Sequence, residues 1–263
     1  MSSQVHLVLT VLLMLGSLAT CSVLAWRVLK SPPLPGADKR RPATWPDWLL
    51  PAAIFCWLVV SISFSRSLPE AGADTEAIRN TLTYNTVIHA VLFLLLAGLV
   101  ELARWRSPDP EPAPPPIRRQ LLYGLVGFLA CLLPTLIVFN LTEPYRTDAD
   151  MHPMLQLIEQ DPSGQLLLAV TISAVLVVPW VEEMAFRVIM QRSLLRIFSP
   201  SLSILLTAAA FCSIHPSWQD AVGLLPLAIV LGVTYHRTGS YLAVVLIHML
   251  FNAVNILSMM VEP

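Results

Sequence analysis

The sequence predicts an all-α, polytopic membrane bundle of about eight helices, and three observations carry that fold class. Of its 263 residues, 56% are hydrophobic and 13% charged, with a mean hydropathy of +0.68, far above a soluble domain. Eight apolar stretches reach or approach the ~20 residues that cross a hydrocarbon core of ~30 Å. The basic residues fall on alternate loops between them, the charge bias of a multi-pass protein. The net charge of −1 argues against nucleic acid as a partner.

In order, the stretches run over Leu7–Trp26, Trp48–Ser65, Leu82–Val100, Gln120–Leu141, Gln165 to beyond Glu183, Ser201–His215, Ala221–Tyr235 and Tyr241–Met260. The first ends in Leu18-Ala19-Thr20-Cys21, faintly like a lipoprotein cleavage box. No Lys or Arg precedes Arg27, however, so it reads as a membrane helix rather than a signal peptide. After it comes a Pro-rich loop with Arg27, Lys30, Lys39, Arg40 and Arg41, and after the second stretch a mixed loop with Glu70, Asp74 and Glu76. The third loop carries Arg104, Arg106, Arg118 and Arg119 around Ser107–Pro116, whose prolines predict an extended chain. Thr142–Gly164 is acidic, with Glu143, Asp148, Asp150, Glu159 and Asp161 against the single Arg146. The sixth and seventh stretches are short for a full crossing. With the first, third, fifth and seventh loops cytoplasmic, only Arg66, Arg79 and Arg146 of the 16 basic residues lie outside, and both termini face outward.

Within the spans, Asn85, His89 and Asn140 read as hydrogen-bond partners between helices, and Glu101 beside Arg104 and Arg106 as an interfacial charge. His152 lies in a loop and points nowhere in particular. The four cysteines, Cys21, Cys56, Cys131 and Cys212, sit in apolar runs at unrelated spacings and read as small hydrophobes rather than disulfide or metal sites.

One stretch stands apart. Val181-Glu182-Glu183-Met184-Ala185-Phe186-Arg187 places two carboxylates and a guanidinium at the end of the apolar run Leu166–Trp180. Each charge inside a membrane costs roughly 2.5–3.5 kcal/mol on insertion scales. On a helix, Glu183 and Arg187 are four apart and can neutralise each other. Glu182 is turned about 100° away and lacks that partner, which suits a general base with a raised pKa. A plain helix end meeting the headgroups is the competing explanation.

Further polar groups follow at helical spacing: Phe211 with His215, and His248 with Asn252, extended by Asn255. His215 precedes Pro216, which also fits a helix end, and Asn252 also fits a helix–helix bridge. So many polar groups in one apolar region must find partners inside the protein. Along straight helices, Glu182 lies ~15 Å before Arg192, His248 ~10 Å beyond Tyr241 and His215 ~21 Å from Ser201. That predicts a site in the inner half or middle of the bilayer, with an offset or tilted sixth helix.

Glu182-Glu183-x-x-x-Arg187, Phe211-x-x-x-His215 and His248-x-x-x-Asn252 together resemble the three motifs of the CPBP intramembrane proteases. That family includes CAAX prenyl endopeptidases and bacterial bacteriocin-processing or immunity (Abi) proteins. Arg237-Thr238-Gly239-Ser240-Tyr241-Leu242 also resembles the family's turn before the third motif. The resemblance covers about Gln165–Asn255. It implies a membrane-embedded catalytic core in residues 146–263; residues 1–145 match nothing specific and read from their apolar runs as N-terminal transmembrane helices joined by Pro-rich basic loops. It also implies an endopeptidase in a bacterial plasma membrane, acting on a membrane-associated peptide or protein.

By the same resemblance Glu182 activates water, His215 helps hold it, and His248 and Asn252 stabilise the oxyanion. Glu183, Arg187 and Phe211 support the site. No cofactor is favoured. Zinc on Glu182, His215 and His248 is the alternative, although no H-E-x-x-H helix is present. A catalytically idle scaffold or immunity protein on the same fold, and a small transporter, are the readings from other classes.

Overall fold

The computed structural model describes residues 3–30, 45–67, 75–105, 113–147, 164–215 and 217–259. Each of the eight apolar stretches is helical. The helices are α1 (Ser3–Lys30), α2 (Leu49–Ser67), α3 (Thr75–Trp105), α4 (Ile117–Thr142), α5 (Gly164–Leu194), α6 (Pro200–Ser213), α7 (Trp218–Gly223), α8 (Leu225–Thr238) and α9 (Tyr241–Met259). Among the described residues, Glu76–Trp105, Ile117–Tyr145, Gly164–Leu194 and Tyr241–Ser258 are long and apolar enough to cross a membrane. Val8–Leu24, Leu49–Val60 and Pro200–Ser213 are shorter apolar helices. The protein is an all-α, polytopic, integral membrane bundle. The loop residues Lys39–Arg41, Glu70, Asp74, Arg106, Asp148, Asp150, His152, Glu159 and Asp161 lie outside the described residues.

The seventh expected stretch is not one helix. Leu224 separates α7 from α8 because Pro226, in the first turn of α8, has no N–H to continue the ladder. Pro116 is extended at φ −53°, ψ 145° and immediately precedes α4, as the Pro-rich loop predicts.

The chain forms two compact units that interleave along the sequence, so residues 145 and 146 fall in the same one. The first comprises Met1–Arg41, Pro114–Asp150 and Phe198–Pro263, with α4 as its rail. Ser17 donates to the Leu129 carbonyl and accepts from the Leu133 N–H, and Cys21 meets the Ala130 carbonyl, so α1 packs against the middle of α4. Gln120 is bonded to Ser240, while Gly124 and Gly127 face Leu246 and Ile247, so α9 runs parallel to α4. Gly127 also faces Thr234, and Phe139 lies against Gly223, so α8 runs antiparallel to it. From Gln120 to Phe139 the rail rises ~28 Å, close to one hydrocarbon thickness.

The second unit comprises Pro42–Ala113 and Met151–Ile197. Asn85 donates to Ser173 across α3 and α5 at 3.2 Å, and Phe93 meets Trp180 farther along both, so these helices are parallel. Trp57 of α2 packs edge-on against Phe186, whereas Trp45, just before α2, binds the end of α5; these two are antiparallel. There the Arg192 guanidinium lies 4.4 Å from the Trp45 ring, Trp45 Nε1 donates to Ser193, and Arg196 donates to the Trp45 carbonyl. The directions of α4, α8 and α9 in one unit, and of α2, α3 and α5 in the other, are those that alternate crossing requires.

Two expected interhelical partners bond within their own helices. The Asn140 amide donates to the Leu136 carbonyl, and His89 Nδ1 lies 2.8 Å from the Asn85 carbonyl. A polar side chain held close to its own helix can bond the carbonyl one turn back instead of reaching a neighbouring helix. Cys131 and Cys212 are buried, Cys21 and Cys56 half-buried, and all four are free thiols. Glu101 and Arg104 form an exposed pair at 3.4 Å.

Candidate active site

Helix α5 carries the two glutamates on an unusual backbone. Ile172–Val177 and Met184–Gln191 are π-helical, and the ordinary α turn Val178–Glu183 lies between them. Pro179 accounts for the first widening: a proline ring clashes with the carbonyl four residues back, here Val175, and removes one N–H. The Val178 N–H accordingly reaches five residues back to the Ser173 carbonyl. Such widened turns inside helices recur at functional sites.

Glu183 and Arg187 form an ion pair at 3.1 Å between Oε2 and Nε, with both side chains fully buried. This is the pairing that the four-residue spacing predicts, and it survives the π turn because four residues still return to nearly the same face. Glu182 is buried as well, at 9% exposure. It shares the α turn with Glu183 but points from a different position around the helix. Phe186 packs on Trp57, fixing the face one turn beyond Glu182.

The imidazoles belong to the first unit. Helix α6 begins with Ser199 as its N-cap and ends at Ser213, so His215 lies just beyond it rather than on its last turn. The ~21 Å measured along an unbroken helix therefore overruns the true end. His215 Nδ1 sits 3.1 Å from the Phe211 carbonyl. A carbonyl only accepts, so Nδ1 carries the proton, and in the neutral ring Nε2 then holds the lone pair. The Phe211 ring lies 5.3 Å from His215 and 5.7 Å from His248, nearly perpendicular to the latter. One fully buried phenyl ring thus sits between the two imidazoles.

His248 is buried and Asn252 half-buried one turn farther along α9, while Asn255 is exposed and does not extend the buried polar face. Three features hold α9. Gly239 closes α8 in the left-handed conformation at φ 63°, where a side chain is disfavoured. Ser240 caps α9 by accepting from the Ala243 N–H at 3.1 Å, and its hydroxyl donates to Gln120 at 2.8 Å. Gly124 and Gly127 let α9 approach closely: a Cβ on Gly124 would stand 2.7 Å from Leu246, and one on Gly127 would collide with Ile247. His248 follows Ile247, so it lies roughly a third of the way along the α4 rail, ~10 Å from the α8–α9 turn.

The structure thus joins Glu183 with Arg187 in one unit, and Phe211 with His215 and His248 in the other. Among the described residues no three His, Cys, Asp or Glu side chains form a group able to hold a metal ion.

The family model described as type II CAAX prenyl endopeptidase Rce1-like matches residues 164–254. The matched stretch is similar to that family. It contains all seven residues singled out by the motifs, from Glu182 to Asn252, and agrees with the CPBP resemblance. The match supports a membrane protease. No curated protein and no solved structure matches the chain.

Sequence reasoning missed the supports: Gln120, Gly124 and Gly127 on α4, and the clamp of Arg146 on Asp220 at 2.8 Å. Their partners lie far along the chain, beyond any helical period. The break at Leu224 was legible in Gly223-Leu224-Leu225-Pro226, a helix stop followed by a helix start.

Proposed function

We propose that the protein is an intramembrane endopeptidase that hydrolyses a peptide bond in a membrane-associated peptide or protein, by water activated at Glu182 and without a metal. The observation that carries the reading is the buried carboxylate pair on the α turn of α5, with Glu183 committed to Arg187, inside a stretch that matches a protease family. Glu182 takes a proton from water as its oxygen bonds to the peptide carbon. His215, protonated at Nδ1, offers its Nε2 lone pair to orient that water. His248 and Asn252 donate hydrogen bonds to the developing oxyanion, an interaction that contributes ~2.7–4 kcal/mol per donor. As the C–N bond breaks, Glu182 passes the proton to the departing amine. Arg187 neutralises Glu183, and Phe211 spaces the two imidazoles. The proposed setting is a bacterial plasma membrane, with the loop of Arg118 and Arg119 on the cytoplasmic side.

Comparing the proteomes of membranes that carry wild-type or Glu182→Gln protein tests this. The proposal expects peptides or proteins cleaved only with the wild type. Identical proteomes favour a scaffold on the same fold. Metal analysis of the purified protein, with activity before and after chelation, separates the mechanisms. One zinc per chain, with activity lost on chelation and restored by zinc, would assign Glu182, His215 and His248 to the metal.

A further inference from the structure

We infer that the Arg146–Asp220 ion pair is a positioning device for His215, an inference that rests on the catalytic reading of His215 above. His215 lies between α6 and α7, and α7 begins three residues after it. Helix α7 has six residues, too few to be stable by its own hydrogen bonds. What fixes it is its attachment to the far end of α4. Arg146 Nη2 donates to Asp220 Oδ1 at 2.8 Å, with both side chains largely buried. The same guanidinium lies 5.2 Å from the Phe139 ring. Gln219 Nε2 donates to the Tyr145 carbonyl at 2.7 Å. At the other end of α7, Gly223 leaves no room for a side chain between it and Phe139.

The link from this clamp to His215 is short. The Asp220 N–H donates to Ser217 Oγ at 3.0 Å, so the residue gripped by Arg146 also fixes the N-cap of α7, two residues after the histidine. On the other side, Nδ1 is tied to the Phe211 carbonyl and the ring packs on Phe211. The imidazole is therefore held between the last turn of α6 and a short helix bolted to α4. Arg146 and Asp220 belong to none of the three motifs and lie 74 positions apart. Glu143 also pairs with Arg146, at 3.6 Å, but is mostly exposed and does not reach α7.

Without the pair, α7 loses its charged anchor and His215 its fixed placement, and a displacement near 1 Å is enough to lower turnover by up to about a hundredfold. The test compares wild type, Arg146→Met, Asp220→Asn, the double variant and Glu182→Gln in liposomes. The substrate is a peptide spanning a cleavage site found in the proteome comparison. Expected is a kcat at least about tenfold lower in either single variant, with KM within about twofold. The double variant should be no worse than the worse single one, as for residues acting as a unit.

A second readout does not depend on turnover: modification of His215 by diethyl pyrocarbonate, followed by mass spectrometry, should be faster in all three clamp variants. Wild-type kcat in the single variants, or unchanged His215 reactivity with only a lower melting temperature, would overturn the inference. Full activity in Glu182→Gln would instead overturn the catalytic reading and leave the labelling result to decide the clamp's role.

Discussion

Replacing Glu183 with Gln removes the carboxylate that faces Arg187 at 3.1 Å, where both side chains are fully buried. The guanidinium stays protonated in any protein environment, so the variant keeps a buried cation and loses its counter-charge. Breaking one side of a buried pair costs roughly 3–5 kcal/mol, against total stabilities of about 5–15 kcal/mol. At ~1.4 kcal/mol per tenfold, the ratio of folded to unfolded protein falls by roughly 10²–10³·⁵. The assay is reversible unfolding in mixed detergent micelles, followed by near-UV circular dichroism on Trp180 and its neighbours. Glu183→Leu combined with Arg187→Met should recover most of the loss, because an apolar pair of similar volume removes both charges together. A Glu183→Gln protein within about 0.5 kcal/mol of wild type, well inside that expected loss, would refute the structural role of the pair.

The remaining predictions follow from the supports of α9 and from the charge bias. Gly127→Val drives a side chain into Ile247 and should destabilise the bundle by about 1–3 kcal/mol, lowering activity through His248; thermal unfolding beside turnover checks it. Asn252→Ala should lower kcat by roughly 10²–10³ with little change in KM, because a donor to the oxyanion acts mainly in the transition state. Equal effects on kcat and substrate affinity would count against that role. On a background without the four native cysteines, a membrane-impermeant maleimide on intact cells should label Glu143→Cys and not Arg118→Cys. The reverse pattern would invert the topology.

How far the sequence reveals this molecule depends on the range of each interaction. Helix positions follow from apolar runs, and the Glu183–Arg187 pair follows from a four-residue spacing, so both are legible locally. His248 and Asn252 share a face for the same reason. The π turns around Val178–Glu183 are less so: Pro179 explains the first, but nothing in Met184–Gln191 announces the second. The motif Phe211-x-x-x-His215 suggests one continuous helix, whereas α6 stops at Ser213 and a side-chain bond to the Phe211 carbonyl holds the histidine. Contacts such as Gln120 with Ser240 and Arg146 with Asp220 depend on which helices become neighbours, which no local pattern encodes. His89 and Asn140 show the converse error, since a mid-span polar residue need not reach another helix when its own backbone offers an acceptor.

The central claim is that Glu182 is the base and Glu183 is not. Its most direct test is the single-turnover rate of wild type, Glu182→Gln and a Glu183→Leu, Arg187→Met double variant, each reconstituted in liposomes at equal folded concentration with the same membrane-anchored peptide. The account predicts background cleavage for Glu182→Gln, despite wild-type folding, and measurable cleavage for the double variant. Cleavage by Glu182→Gln at a rate near wild type, or its loss only in the double variant, would contradict it.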